Sequence, residues 1–113
     1  MASWETVRTL ALALPDVEEG TAYRRPAFRV SGKVFACESP HVAAALVVYV
    51  DPEERPLLLA SRPAAYFVTP HYEGHPLLLV RVEAVADDEL EERLTDSWLL
   101  RAPTRLHGAL GSD

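Results

Sequence analysis

The chain opens on a helical rhythm. Trp4, Val7, Leu10, Ala11 and Leu14 recur at the three- and four-residue spacing that lines one helix face. Ser3 is a suitable N-cap, Glu5 lies near the positive end of the helix dipole, and Pro15-Asp16 closes a helix over residues 4–13. Residues 16–26 read as loop, punctuated by Gly20 and Pro26. From residue 27 the period falls to two. Ala27-Phe28-Arg29-Val30 and Lys33-Val34-Phe35-Ala36-Cys37 flank Ser31-Gly32, a two-residue hairpin signal. Phe28 and Val30 share one face of the first of these strands and Arg29 points the other way. A third strand covers residues 46–50. Asp51-Pro52-Glu53-Glu54 then supplies a cap, an early proline and two acids, a helix start that directs Leu57, Leu58 and Ala60 inward.

Residues 66–69 and 77–82 read as a fourth and a fifth strand, separated by the loop Pro70-His71-Tyr72-Glu73-Gly74-His75-Pro76. A last helix starts near Asp87 or Asp88, carries Leu90, Leu94 and Trp98 at i, i+4 and i+8, and ends before Pro103. The order α-β-β-β-α-β-β-α, with short hairpin connections, predicts an α+β two-layer sandwich: an antiparallel five-stranded sheet with three helices on one face. The other face is left open to solvent or to a partner. Along the last strand Leu77, Leu79 and Arg81 alternate with Leu78, Val80 and Val82, so one apolar set is expected to lack helix cover.

Composition narrows the class. With 113 residues, 49% of them hydrophobic and 25% charged, the chain has the make-up of one globular domain over residues 1–113. No apolar run reaches the roughly 20 residues of a membrane span, and no basic stretch precedes an apolar one at the N-terminus. A cytoplasmic protein without a membrane partner is expected. Cys37 is the one cysteine, which excludes an intrachain disulfide and argues against a thiolate metal cluster.

The formal charge of −6 opposes long-range attraction of nucleic acid, so any such binding needs a local basic patch. One exists in the sequence. Arg24, Arg25, Arg29 and Lys33 fall in an acid-free stretch between Gly20 and Cys37, whereas residues 83–96 hold seven acids and one base, Arg93. The basic stretch suits phosphate contact; the plainer reading is a solvated hairpin pairing with acids such as Glu18 and Glu19. His71 and His75 have a zinc-binding spacing only if helical, and Pro70, Gly74 and Pro76 oppose a helix, so no metal is expected there. Loop 69–76 holds His71 and Tyr72 between prolines, which fits either a recognition loop or turn chemistry. No nucleophile elbow, phosphate loop or paired metal carboxylates occur, and a strand cysteine such as Cys37 is more often buried than nucleophilic. Neither an enzyme nor a cofactor is expected.

The ordered motifs Leu14-Pro15-Asp16-Val17-Glu18-Glu19-Gly20-Thr21, Pro26-Ala27-Phe28-Arg29-Val30 and Gly32-Lys33-Val34-Phe35-Ala36 resemble those of the MmcQ/YjbR family. The likeness continues through Val50-Asp51-Pro52 and Phe67-Val68-Thr69-Pro70-His71-Tyr72, and closes with Trp98 and Ala102-Pro103-Thr104-Arg105-Leu106. It implies a fold similar to frataxin and the type III secretion chaperones, and a DNA-binding role tied to a double-wing arrangement of hairpins. The chain departs from the pattern at Arg24, where glycine is expected after the aromatic, at Thr104 in place of lysine, and at Leu77 in place of an aromatic.

The leading expectation is therefore DNA binding through Arg24, Arg25, Arg29, Lys33, His71 and Tyr72, with Tyr72 stacking on an unpaired base. The alternative is a protein- or ligand-binding module using the open sheet face, as a monomer or weak homodimer. A weaker idea, iron binding by analogy with frataxin, rests on Asp87, Asp88, Glu89, Glu91 and Glu92 alone.

Overall fold

The computed structural model describes residues 2–110; Met1 and residues 111–113, part of the expected domain span, lie outside the described residues. The elements run α1 (Trp4–Leu12), β1 (Val17–Ala22), β2 (Arg25–Val30), β3 (Lys33–Glu38), β4 (Ala45–Tyr49), α2 (Arg55–Ser61), β5 (Tyr66–Phe67), β6 (Leu77–Arg81), a 3₁₀ turn (Val82–Ala84), α3 (Asp87–Arg101) and α4 (Thr104–His107). The α+β class and open antiparallel sheet are as expected, but the sheet has six strands, ordered β1-β2-β3-β4-β6-β5. The added strand is β1, in the stretch read as loop. It carries Glu18, Glu19, Gly20 and Thr21, all exposed, so it lacks the apolar alternation that marks a strand. It forms because all six of its residues pair with β2, from Val17 opposite Val30 to Ala22 opposite Arg25. A charged, glycine-bearing strand suits a sheet edge, where an apolar one would invite aggregation.

Helix α1 begins at a capping box, with Thr6 N–H donating to Ser3 Oγ and Ser3 N–H to Thr6 Oγ1, both at 3.3 Å. Helix α3 places Asp87, Asp88 and Glu89 in its first turn and Arg101 in its last, matching the helix dipole at both ends. Its buried Leu90, Leu94 and Trp98 meet Val7 and Ala11 of α1 and one face of the sheet: Phe28, Val30, Ala36, Leu46, Val48, Leu78 and Val80. Trp98 Nε1 donates to the Pro15 carbonyl at 2.9 Å, tying α3 to the α1–β1 connection. No helix among the described residues is long and apolar enough to cross a membrane.

Helix α2 starts at Arg55, three residues later than the Pro52 signal implies; ahead of it lies a turn in which Asp51 Oδ1 accepts from Glu53 N–H at 2.8 Å and the Asp51 carbonyl accepts from the N–H groups of Glu54 and Arg55. The inward residues are consequently Leu58 and Leu59; Leu57 is 70% exposed and Ala60 is exposed.

One irregularity shapes the sheet. Ala36 pairs with Phe28 but Val34 with Arg29, so β3 carries an extra residue, Phe35, in a bulge. Beyond Ala36–Val48 the β3–β4 register stops. Helix α3 supplies the missing partners: Ser97 Oγ donates to Phe35 O at 2.5 Å and accepts from Tyr49 N–H at 2.8 Å, and Arg101 Nε donates to Val34 O at 3.0 Å. A buried serine and a helix-terminal arginine thus close a ladder that the bulge interrupts.

Candidate functional site

The sheet face away from α1 and α3 is floored by a row that crosses the sheet in register: Ala27 on β2, Cys37 on β3, Val47 on β4, Leu79 on β6 and Phe67 on β5. Half of this face is covered by the chain's own loop. Tyr72 packs on Ala45, Val47 and Leu79, and is itself only 5% exposed. The apolar set of β6 expected to lack helix cover does lack it, but it is not exposed: Leu79 is fully buried beneath residues 69–76. Arg55 of α2 fixes that loop, donating from Nη1 to the carbonyls of His75 (2.6 Å) and Leu77 (3.1 Å), and from Nη2 to Glu73 O (3.0 Å).

The other half of the face is a cleft of about 620 Å³, within the range of ligand pockets. Its cations are Arg29, Lys33 and Arg101; its histidines are His41, His71 and His75; Tyr23 and Tyr49 add rings. No aspartate or glutamate lines it among the described residues. The Arg101 guanidinium lies 4.1 Å from the Tyr49 ring centre, a cation–π contact that sets both groups at one end. At the other end the His41 and His71 rings lie 3.9 Å apart between centroids, and Tyr72 stands edge-on to His71 at 5.0 Å. Cys37 lies in the floor, where burial pushes its thiol up and the Arg29 guanidinium opposes that shift in part. Its reactive thiolate is disfavoured in consequence.

Of the six residues expected to form a site, the fold brings Arg29, Lys33, His71 and Tyr72 around this cleft. Arg24 and Arg25 do not line it. Arg25 lies 3.8 Å from the half-buried Glu38, while Arg24 sits at the β1–β2 tip beside Tyr23. Among the described residues Arg24, Arg29 and Lys33 form no ion pair. Tyr72 does not offer a ring for stacking; buried and hydroxyl-bonded to Ser39, it holds the loop down. His75 comes in with the loop 69–76 that the sequence singles out, whereas Arg101, His41, Tyr23 and Tyr49 are additions that local sequence does not signal and that the tertiary fold brings in. The acids of α3 gather no metal set: Glu89 pairs with Arg62 and accepts from the Tyr66 hydroxyl, and Glu92 pairs with Arg93. Among the described residues no cluster of three or more His, Cys, Asp or Glu could hold a metal ion.

The chain thus forms an α+β sandwich whose sheet face away from α1 and α3 carries a cleft lined by cations and, among the described residues, by no acid. The chain belongs to the YjbR family, whose profile matches residues 12–100. It is 31% identical over 123 aligned positions to uncharacterized proteins of Mycobacterium tuberculosis (Rv2570) and Mycobacterium bovis (Mb2600), spanning 94% of this chain and 93% of theirs. The crystal structure of Deinococcus radiodurans protein DR2400, a DUF419 domain, superposes with a TM-score of 0.77 at 21% identity, covering all of this chain and 91% of that one.

Proposed function

We propose that this protein binds nucleic acid through the open sheet face, without catalysis, the cleft cations neutralising backbone phosphates. The observation that carries the reading is the placement of Arg29, Lys33 and Arg101 around one cleft with no acid in its lining, in a chain whose net charge is −6. In a chain with that excess of acids, a cleft lined by cations and by no carboxylate suits an anion. Phosphates supply most of the affinity in nucleic-acid contacts, and paired guanidinium and ammonium groups match them. The arrangement also replaces the hairpin-tip contact expected from sequence: Arg29 and Lys33 act from the sheet face, with Arg24 at the rim and Arg25 held by Glu38.

The absence of catalysis is part of the proposal. Cys37 is the one thiol of the chain, and its burial disfavours the thiolate that a nucleophile needs. A protein partner seated on the apolar rows of β6 is less favoured, because loop 69–76 already covers Leu79. The test is binding of labelled DNA at about 50 mM salt, where phosphate contacts are strongest. Arg29→Ala/Lys33→Ala is expected to abolish it, and Arg25→Ala to leave it nearly unchanged.

A further inference from the structure

The β1–β2 connection presents an aromatic ring where its backbone disfavours one. Tyr23 and Arg24 both sit at positive φ, 52° and 65°, as do Ser31 and Gly32 in the β2–β3 connection, 50° and 81°. Two successive positive φ values mark a type I′ hairpin turn, which favours Asn, Asp and Gly because a larger residue crowds its own backbone there. Ser31-Gly32 meets that preference at its second position; Tyr23-Arg24 meets it at neither. Packing does not compensate the strain, since Tyr23 is 83% exposed. Strained, exposed side chains concentrate where a ligand is met.

What Tyr23 borders gives the ligand its chemistry. The ring lines the same cleft as Arg29 and Lys33, and Arg24 beside it forms no ion pair among the described residues. A presented aromatic next to a track of cations is the pairing used to hold single strands, with bases stacked on rings while phosphates follow the positive groove. Duplex DNA keeps its base faces inside the stack and offers the ring nothing without unpairing. The cleft, of ligand-pocket size, admits a splayed nucleotide, whereas a duplex would rest on its rim. Resting on the nucleic-acid reading above, we infer that the cleft takes single-stranded nucleic acid, with a base stacked on Tyr23 and the adjoining phosphates held by Arg24, Arg29 and Lys33.

The test compares a labelled oligothymidine with a duplex of equal length by fluorescence anisotropy at about 50 mM salt, for the native chain, Tyr23→Asn and Tyr23→Trp. The oligothymidine is expected to bind more tightly than the duplex. Tyr23→Asn is expected to weaken oligothymidine binding by about 5- to 150-fold and to leave duplex binding unchanged. Asparagine suits the turn, so the melting temperature of Tyr23→Asn should hold or rise, which separates loss of the ring from loss of fold. Tyr23→Trp should retain native affinity. Equal binding of strand and duplex, or an unaltered Tyr23→Asn, with Arg29→Ala/Lys33→Ala still abolishing binding, overturns the stacking inference and leaves phosphate contact standing. No binding of either nucleic acid by the native chain overturns both.

Discussion

The Tyr72 hydroxyl lies 2.7 Å from Ser39 Oγ, joining loop 69–76 to the β3–β4 connection across the open sheet face. Ser39 Oγ also accepts from the N–H groups of His41, at 3.1 Å, and Val42, at 3.0 Å. With both lone pairs so used, its proton is directed to Tyr72 Oη. One buried serine thereby orders the backbone that carries His41 and the loop that carries His71, which accounts for the close approach of the two rings.

That arrangement ranks two substitutions. Tyr72→Phe removes one hydrogen bond and keeps the ring, and is expected to cost about 1 kcal/mol. Ser39→Ala leaves two backbone donors and the tyrosine without their common partner, and is expected to cost about 2 kcal/mol or more. Urea denaturation measures both; a Tyr72→Phe effect larger than that of Ser39→Ala would contradict the assignment of Ser39 as the hub.

Ser97 is the corresponding hub beneath the bulge. Ser97→Ala strips partners from the buried Phe35 carbonyl and the half-buried Tyr49 N–H, and should destabilise the protein by about 2–3 kcal/mol. Because Tyr49 and Val34 border the cleft, the same variant should also weaken ligand binding. A loss below about 1 kcal/mol would mean that the bulge satisfies itself.

Stability should fall in alkali. Burial, and for Tyr66 also its hydrogen bond to Glu89, holds the Cys37 and Tyr66 protons in the folded state beyond the ordinary values of 9.0 and 10.0. The unfolded chain releases them first and so binds fewer protons. The stabilisation is complete below about pH 9 and is lost as pH climbs through the raised folded-state values. Denaturant midpoints at about pH 8 and pH 10.5 should show this decline, flattened in Cys37→Ala/Tyr66→Phe. An equally steep decline in that variant would assign the loss to other groups.

Much of the architecture is legible before folding. The period of Leu90, Leu94 and Trp98 marks α3, and Ser31-Gly32 marks the β2–β3 turn. Strand β1 escapes notice because Glu18 to Thr21 are exposed, so its strand character comes from pairing and not from a buried face. The Tyr23-Arg24 turn escapes with it, since neither residue is a customary turn former. Within the cleft, local charge points to Arg29 and Lys33, and the proline-bracketed loop points to His71. Arg101 is invisible by the same means: it reaches the cleft because the β3 bulge exposes the Val34 carbonyl to its Nε. Tyr72 shows the opposite error, since an aromatic in a polar loop reads as a contact ring until its burial is known.

The most direct measurement is the salt dependence of DNA affinity between roughly 50 and 200 mM. Four phosphate contacts, by Arg24, Arg29, Lys33 and Arg101, give a log–log slope near about −2.8 on single strands; Lys33→Ala alone should bring it to about −2.1, and Arg29→Ala/Lys33→Ala should abolish binding. An unchanged slope and affinity in the double variant, or no binding by the native chain at the lower salt, would contradict the assignment of the open sheet face as a phosphate-binding surface.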